Sequence, residues 1–168
     1  FLALEYAYHG DTLGAMSVCD PQNSMHSIYG SYMSEHIFTK APKLGFSSDC
    51  SDEIKILEDN FEKYHKEIAG FIVEPIVQGA GGMRIYNPEY LKKARELCTK
   101  YDVLLILDEI ATGFGHTGLM FAYEHANIKP DILTLGKGLT GGYMTMAAMI
   151  TSRNISEVIS NSEIGVLM

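Results

Sequence analysis

The chain has 168 residues, of which 46% are hydrophobic and 20% charged, and its formal net charge is −8. This composition fits one globular domain or a large part of one. The negative charge and the lack of a Lys/Arg cluster argue against a nucleic-acid surface. No apolar run reaches the ~20 residues needed to span a bilayer. The three cysteines have no C-x-x-C spacing, which favours a reducing, cytoplasmic compartment over a disulfide framework or a zinc ribbon.

Hydrophobic periodicity predicts strands that alternate with amphipathic helices. Continuous apolar strands in this alternation indicate an α/β fold with a mostly parallel sheet and helices on both faces. We expect residues 20–49 to form a long irregular segment, and Met144 and Met146 to be core residues of a strand. The predicted strands cover residues 1–8, 69–74, 103–107, 131–135 and 144–150, and the predicted helices cover 12–18, 51–68 and 88–101, a short helix through 126, and one from about 155.

Two charged residues follow apolar strands of the predicted sheet. Asp108 ends the strand 103–107, and Lys137 follows the strand 131–135 between Gly136 and Gly138. Taken alone, Asp108 fits a capping residue equally well. A lysine such as Lys137, taken alone, is more often a solvated loop residue than a site residue. The glycines favour close approach of a cofactor instead. A lysine amine can form a Schiff base with a carbonyl, and a carboxylate can keep a pyridine nitrogen protonated, so the pair predicts pyridoxal phosphate (PLP).

Two nucleotide-binding interpretations are weaker. An apolar strand ending in Asp-Glu also occurs in P-loop ATPases, but these need G-x-x-x-x-G-K-S/T, usually before that strand. Here Gly136-Lys137 follows the strand, Asp131 stands where the first glycine belongs, and Gly138 follows the lysine. The glycine-rich loop 78–82 resembles a dinucleotide fingerprint, but Arg84 replaces its last glycine. A tight turn that admits a ligand or a neighbouring subunit explains this loop better.

Several other polar residues are weaker candidates for a binding site. Tyr8 and Asp11 bracket the end of the first predicted strand, and Glu74 ends the second, where ligands bind in parallel sheets. A core tyrosine and a turn aspartate explain Tyr8 and Asp11 about as well. Four histidines lack metal-ligand spacing, so we predict no metal site and surface or capping roles for them: His26, His36, His65 and His125.

Two motifs together resemble the signature of class III pyridoxal-phosphate aminotransferases. Residues 108–118 read DEIATGFGHTG, and residues 131–142 read DILTLGKGLTGG. The spacing from Asp108 to Lys137 is part of that signature. The resemblance implies the large domain of the fold-type-I PLP-dependent transferases, and a homodimer whose active site draws on both subunits.

The resemblance also implies roles for individual residues. Lys137 would be the Schiff-base lysine that acts on the substrate, and Asp108 the partner of the pyridine nitrogen. Ile110 would pack on one face of the cofactor ring, and Tyr8 would line the pocket near the ring and the substrate.

Three further residues would support this site. By the resemblance, Asp11 and Glu74 belong to its polar surroundings. His116 stands where the family commonly has Arg, which bears on recognition of the amino donor.

Three segments narrow the resemblance within the family: residues 8–18, 74–83 and 140–145. They resemble the branch that aminates 8-amino-7-oxononanoate with S-adenosylmethionine as donor, in biotin biosynthesis. Ala111 and the Gly-Ala-Gly-Gly loop favour this branch over relatives acting on ornithine, 4-aminobutyrate or glutamate semialdehyde. A non-catalytic nucleotide-binding module remains the alternative of a different class.

The ends of the chain indicate a fragment. It begins within an apolar, strand-like stretch without Met and ends in an apolar stretch at residues 165–168. The Gly-Ser turn that the family uses upstream for phosphate, and its downstream His-Gly-Pro-Thr segment, are not in the sequence. We therefore expect residues 1–168 to be the central part of the PLP-binding large domain, and to bind the cofactor poorly without the rest.

Overall fold

The computed structural model describes residues 1–162. Within these residues, eight strands and five α-helices follow one another, with short 3-10 turns between some of them. The strands are β1 (Leu2–Leu4), β2 (Ile37–Thr39), β3 (Gly70–Val73), β4 (Val77–Gln78), β5 (Arg84–Ile85), β6 (Leu104–Asp108), β7 (Ile132–Leu135) and β8 (Ala148–Thr151). The helices are α1 (Leu13–Ser17), α2 (His26–Tyr29), α3 (Ser51–Tyr64), α4 (Pro88–Tyr101) and α5 (Arg153–Ser160).

Six of the strands form one sheet in the order β2-β1-β3-β6-β7-β8, and β4 and β5 form a separate hairpin. All neighbours in the large sheet are parallel except β7 and β8, which are antiparallel. The predicted α/β class with a mostly parallel sheet is thus confirmed. The parallel pairs β3-β6 and β6-β7 bring the carboxyl ends of three strands to one edge, where ligands bind in such sheets.

The main core lies between this sheet and the long helices α3 and α4. Phe61 of α3 packs edge-on against Phe71 of β3, with ring centroids 6.0 Å apart. Leu91 and Ala94 of α4 are fully buried, as is Leu105 of β6. Apolar residues three or four positions apart on each helix form the face that covers the sheet, so the periodicity that predicts these helices also determines which side they bury.

The start of α4 is capped by a side chain. Asn87 is the N-cap, its side chain accepts a hydrogen bond from the Glu89 N–H at 2.9 Å, and Pro88 occupies the first helical position. The Asn87 amide also donates to the Ser48 carbonyl at 2.9 Å, which ties the helix to the preceding loop. The helix ends at Asp102, whose backbone is left-handed.

The first predicted strand is too long, and one strand within residues 20–49 was missed. β1 stops at Leu4 because Tyr6 adopts a left-handed backbone (φ 60°) and the Ala7 N–H donates back to the Leu4 carbonyl at 3.3 Å. The segment 20–49 is not wholly irregular, since it contains α2 and β2. β2 has three residues, which is too short for periodicity to reveal, and it forms by pairing with β1.

The prediction for residues 144–150 was wrong in extent and environment. Gly141 and Gly142 turn the chain with positive φ, and the strand starts only at Ala148. Met144 and Met146 precede it and are 58% and 50% exposed, so they are not core residues of these 162. β8 is the edge strand of the sheet, which leaves its side chains partly uncovered.

The last helix begins at Arg153, two residues before its predicted start. The apolar end of the chain, residues 163–168, lies outside the described part. No helix that the structure describes is long and apolar enough to cross a membrane.

Replacing Asn87 by alanine should lower the free energy of unfolding of the full-length protein by about 1 to 2 kcal/mol, because the N-cap bond is lost. Urea denaturation measures the change. Ser152→Ala is the matched control, since Ser152 is the N-cap of α5 but makes no side-chain capping bond. Its effect should stay within about 0.5 kcal/mol. Equal losses in the two variants would contradict the capping role of Asn87.

Candidate active site

The predicted site residues converge at the carboxyl edge of the sheet. Glu74 follows β3, Asp108 ends β6, and Lys137 lies two residues beyond β7. Asp108 stands opposite Thr134 in the β6-β7 register, and the Thr134 hydroxyl donates to Asp108 Oδ1 at 3.3 Å. Adjacent parallel strands therefore bring the loop of Lys137 next to Asp108, as the sequence predicts.

The Asp108 carboxylate is buried, with 6% of the residue exposed, and is surrounded by donors. Oδ1 also accepts from the Ile110 N–H at 3.1 Å. Oδ2 pairs with His9 Nδ1 at 2.7 Å. A buried carboxylate needs such partners, because leaving it unpaired would carry a large desolvation penalty.

His9 is the site residue that sequence reasoning missed. It lies between Tyr8 and Asp11, both of which attracted attention, but its contact with Asp108 spans 99 positions. No spacing rule predicts a pair so far apart in sequence. Its position just beyond the first predicted strand was the available signal, because the chain leaves that strand at the same sheet edge as Asp108.

Lys137 begins a 3-10 turn, Lys137–Thr140, and its backbone is left-handed with φ 42°. For a residue other than glycine this conformation costs about 1 to 2 kcal/mol. The neighbouring glycines admit two close contacts. A Cβ at Gly136 would lie 3.3 Å from Ile110, and one at Gly138 would lie 3.1 Å from Phe114. The lysine turn therefore packs directly on the loop that follows Asp108, with the Lys137 side chain exposed.

Glu74 is buried at the same edge and joins two loops. One carboxylate oxygen accepts the Tyr8 N–H at 3.0 Å, and the other accepts the Gly79 N–H at 2.8 Å. Burial raises the pKa of Glu74, and the two backbone donors offset part of that rise. Glu74 thus holds the Tyr8 backbone and the glycine-rich loop in place.

Tyr8 and Asp11 line one cavity of about 680 Å³ together with the glycines 81 and 82. The neighbouring Asp11 carboxylate raises the pKa of the Tyr8 hydroxyl. Both side chains are accessible, unlike Asp108 and Glu74. Tyr8 thus lines a cavity, and its position beside a cofactor ring stays a prediction.

The glycine-rich loop connects β4 and β5 in a hairpin, so it is not the strand-to-helix turn of a dinucleotide site. A Cβ at Gly81 would lie 2.0 Å from the Tyr6 carbonyl oxygen. The Gln78 amide donates to the Glu5 carbonyl at 2.8 Å. The chain's own backbone after β1 approaches this loop at Gly81, and the approach of a ligand or a subunit stays a prediction.

Two further residues have local roles in the structure. Glu109 is fully buried and accepts hydrogen bonds from the Thr112 hydroxyl and the Tyr123 N–H, which closes the loop after β6. His116 is exposed, and its Nδ1 bonds to the Gly113 carbonyl at 2.8 Å. That contact joins His116 to its own loop and to none of the other predicted site residues. Within residues 1–162, no group of three or more His, Cys, Asp or Glu side chains is arranged to hold a metal ion.

Comparison with known proteins identifies this arrangement. The family described as aminotransferase class-III matches residues 1–166. The chain belongs to the class-III aminotransferases. This membership confirms the resemblance drawn from residues 108–118 and 131–142.

Individual relatives of this class-III chain are also aminotransferases by name. It is 52% identical to the adenosylmethionine-8-amino-7-oxononanoate aminotransferase of Buchnera aphidicola subsp. Acyrthosiphon pisum, over 100% of the chain and 40% of that protein. The crystal structure of the Methanocaldococcus jannaschii enzyme of the same name superposes with a TM-score of 0.81 at 36% identity, over 94% of the chain and 35% of its own. An amine transaminase from an uncultivated Pseudomonas species, in a PLP-bound form, gives a TM-score of 0.82 at 31% identity, with 96% and 38% covered. The chain thus spans about 40% of the length of the curated relatives it matches.

The raised pKa of Glu74 predicts a pH-dependent contribution to stability. Because the folded protein binds this proton more tightly than the unfolded chain, the contribution is fully present below the ordinary pKa of about 4.3 and is lost as pH rises through the raised value. We expect the stability of the full-length protein without cofactor, relative to Glu74→Gln, to decrease from about pH 4 to pH 7. Urea denaturation at both pH values measures it.

The matched control is Glu62→Gln, since Glu62 is an exposed glutamate on α3. The difference in stability between the wild type and Glu62→Gln should not change with pH. A pH-independent difference for Glu74→Gln would contradict the burial argument.

Proposed function

We propose that the full-length protein is a PLP-dependent aminotransferase. In the proposed reaction it converts 8-amino-7-oxononanoate to 7,8-diaminononanoate with S-adenosylmethionine as amino donor, a step of biotin biosynthesis. The observation that carries the proposal is the buried Asp108 on β6 beside the glycine-flanked Lys137 after β7. Membership of the class-III family supports the reaction type, and the names of the relatives at about 50% identity support the substrate.

The residues of this edge fit the cofactor. The Asp108 carboxylate is surrounded by hydrogen-bond donors, and a carboxylate at this edge can pair with a protonated pyridine nitrogen. Lys137 is an exposed primary amine on a turn whose flanking glycines let it pack directly on Ile110 and Phe114. Ile110 contacts that turn and offers an apolar surface at the same point.

When bound, pyridoxal phosphate supplies a carbonyl that takes up amino groups and a ring that acts as an electron sink. In the proposed mechanism the Lys137 amine would hold the cofactor and, when free of it, would act as base and acid at the substrate carbon. Asp108 would pair with positive charge at the ring nitrogen. Tyr8 and Asp11 border the cavity where the substrate would enter.

We further propose a cytoplasmic homodimer with a shared active site. Exposed apolar side chains lie beside the entrance cavity, among them Leu13, Tyr29 and Tyr32 at 49%, 40% and 77% exposure, which supports a face covered by another subunit. All three cysteines are buried and unpaired in the described residues, which supports a reducing compartment.

Replacing Lys137 by alanine in the full-length protein should abolish turnover, with a loss of at least about 10³-fold, because the covalent and proton-transfer group is removed. The visible absorbance of covalently attached PLP should disappear at the same time. Absorbance scans with and without added cofactor, together with single-turnover assays, measure both effects.

Lys66→Ala is the matched control, because Lys66 is an exposed lysine just beyond α3. It should retain turnover and absorbance. Retention of both by Lys137→Ala would refute the assignment. Absence of any PLP absorbance in the wild-type protein, together with nucleotide affinity, would support the non-catalytic module instead.

The donor proposal predicts selectivity in the first half-reaction. Amino-group transfer from S-adenosylmethionine to the bound cofactor should be faster than transfer from ornithine, 4-aminobutyrate or simple amines. Stopped-flow absorbance with each donor gives the rate constants. A clear preference for one of the other donors would overturn the substrate assignment and leave the aminotransferase chemistry intact.

A further inference from the structure

His9 lies behind the Asp108 carboxylate and is almost completely enclosed. Its side chain is 2% exposed, and that of Asp108 is 7% exposed. The contact between His9 Nδ1 and Asp108 Oδ2 measures 2.7 Å, the range of a charge-assisted hydrogen bond. Because an ionised carboxylate can only accept, Nδ1 is the nitrogen that carries the shared proton.

The backbone around His9 is fixed from both sides. The His9 N–H donates to Cys19 Sγ at 3.1 Å, and the preceding Tyr8 N–H donates to Glu74. His9, Ser17 and His36 are among the residues that line a cavity of about 360 Å³. The backbone therefore holds the His9 imidazole in place, and the one hydrogen bond that this imidazole makes within residues 1–162 is to Asp108.

The Asp108 carboxylate has one acceptor position left for the ring nitrogen of the cofactor, on the oxygen that His9 contacts. A carboxylate offers about four lone-pair positions, two on each oxygen. Ile110 N–H and the Thr134 hydroxyl occupy both positions on Oδ1, and His9 occupies one on Oδ2. The remaining position is on Oδ2, the oxygen that His9 holds.

We propose that His9 is a positioning residue for the pyridine-nitrogen contact, which deepens the proposed function and rests on it. Its Nδ1–H fixes the orientation of Oδ2 and stabilises the ionised carboxylate, so that Asp108 keeps the ring nitrogen protonated. Without His9, the Ile110 N–H and the Thr134 hydroxyl still bind Oδ1, but Oδ2 has no hydrogen-bond donor from these groups. Removing His9 therefore changes the protonation of the ring nitrogen, in addition to any loss of packing.

The test compares His9→Leu with His9→Asn in the full-length protein loaded with PLP that carries ¹⁵N in its ring. Leucine removes the donor, whereas the asparagine amide can replace Nδ1–H. The ¹⁵N chemical shift of the bound cofactor reports the protonation of the ring nitrogen. We expect a protonated ring in the wild type and in His9→Asn, and a shift toward the unprotonated value in His9→Leu.

Turnover and cofactor affinity provide a second readout. Loss of one charge-assisted hydrogen bond corresponds to about 10- to 100-fold, so kcat and PLP affinity should fall by that factor in His9→Leu and recover most of it in His9→Asn. His65→Leu is the matched control, because His65 Nδ1 also makes a hydrogen bond, shared between the Phe61 and Glu62 carbonyls. It should leave the ¹⁵N shift unchanged.

A ring nitrogen as protonated in His9→Leu as in the wild type would overturn the proposal, even if activity fell. If His9→Leu does not fold, the wild type still decides the matter: ¹⁵N-histidine spectra should show the His9 Nδ1–H signal moving when PLP binds, and an unmoved signal would overturn the proposal. Failure of the proposed function is distinguishable, since PLP would then not attach to Lys137 in the wild type.

Discussion

The enclosure of one carboxylate, Asp108, is the constraint on which the rest of the site depends. A charge at 6% exposure is stable only if hydrogen-bond donors surround it, and here they come from three separate parts of the chain. The Ile110 N–H comes from the following loop, the Thr134 hydroxyl from the next strand, and the His9 imidazole from the loop after β1. Satisfying Asp108 therefore brings together three elements at one edge of the sheet.

Close packing at glycine residues also holds the loops together at the carboxyl edge of the sheet. Gly81 lies against the Tyr6 carbonyl, and Gly136 and Gly138 lie against Ile110 and Phe114. A side chain at Gly81 would force the Tyr6 backbone to move, and one at Gly136 or Gly138 would press on the Ile110 or Phe114 side chain. The left-handed backbone of Lys137 belongs to the same packing, because strained conformations persist where the surroundings determine them and are concentrated at functional sites.

Most of the framework was predictable because it depends on local pattern. Helices α3 and α4 carry a clear apolar face, and Asn87 with Pro88 marks the start of α4. The errors occurred where partners far away in sequence decide the structure. β2 exists because β1 pairs with it, and Met144 is exposed because β8 begins late at the sheet edge. Neither pairing leaves a periodic signal in the segment concerned.

The sequence by itself determined the α/β class and the family. It also singled out Asp108 and Lys137, because each of these two residues follows a continuous apolar strand within a characteristic motif. Only the tertiary structure decided which groups hold that pair. His9 reaches Asp108 across 99 positions, and Glu74 joins the loops of Tyr8 and Gly79. The physical reason is that parallel strands bring their carboxyl ends together regardless of separation in sequence, so donors and acceptors at this edge meet only once the sheet has formed.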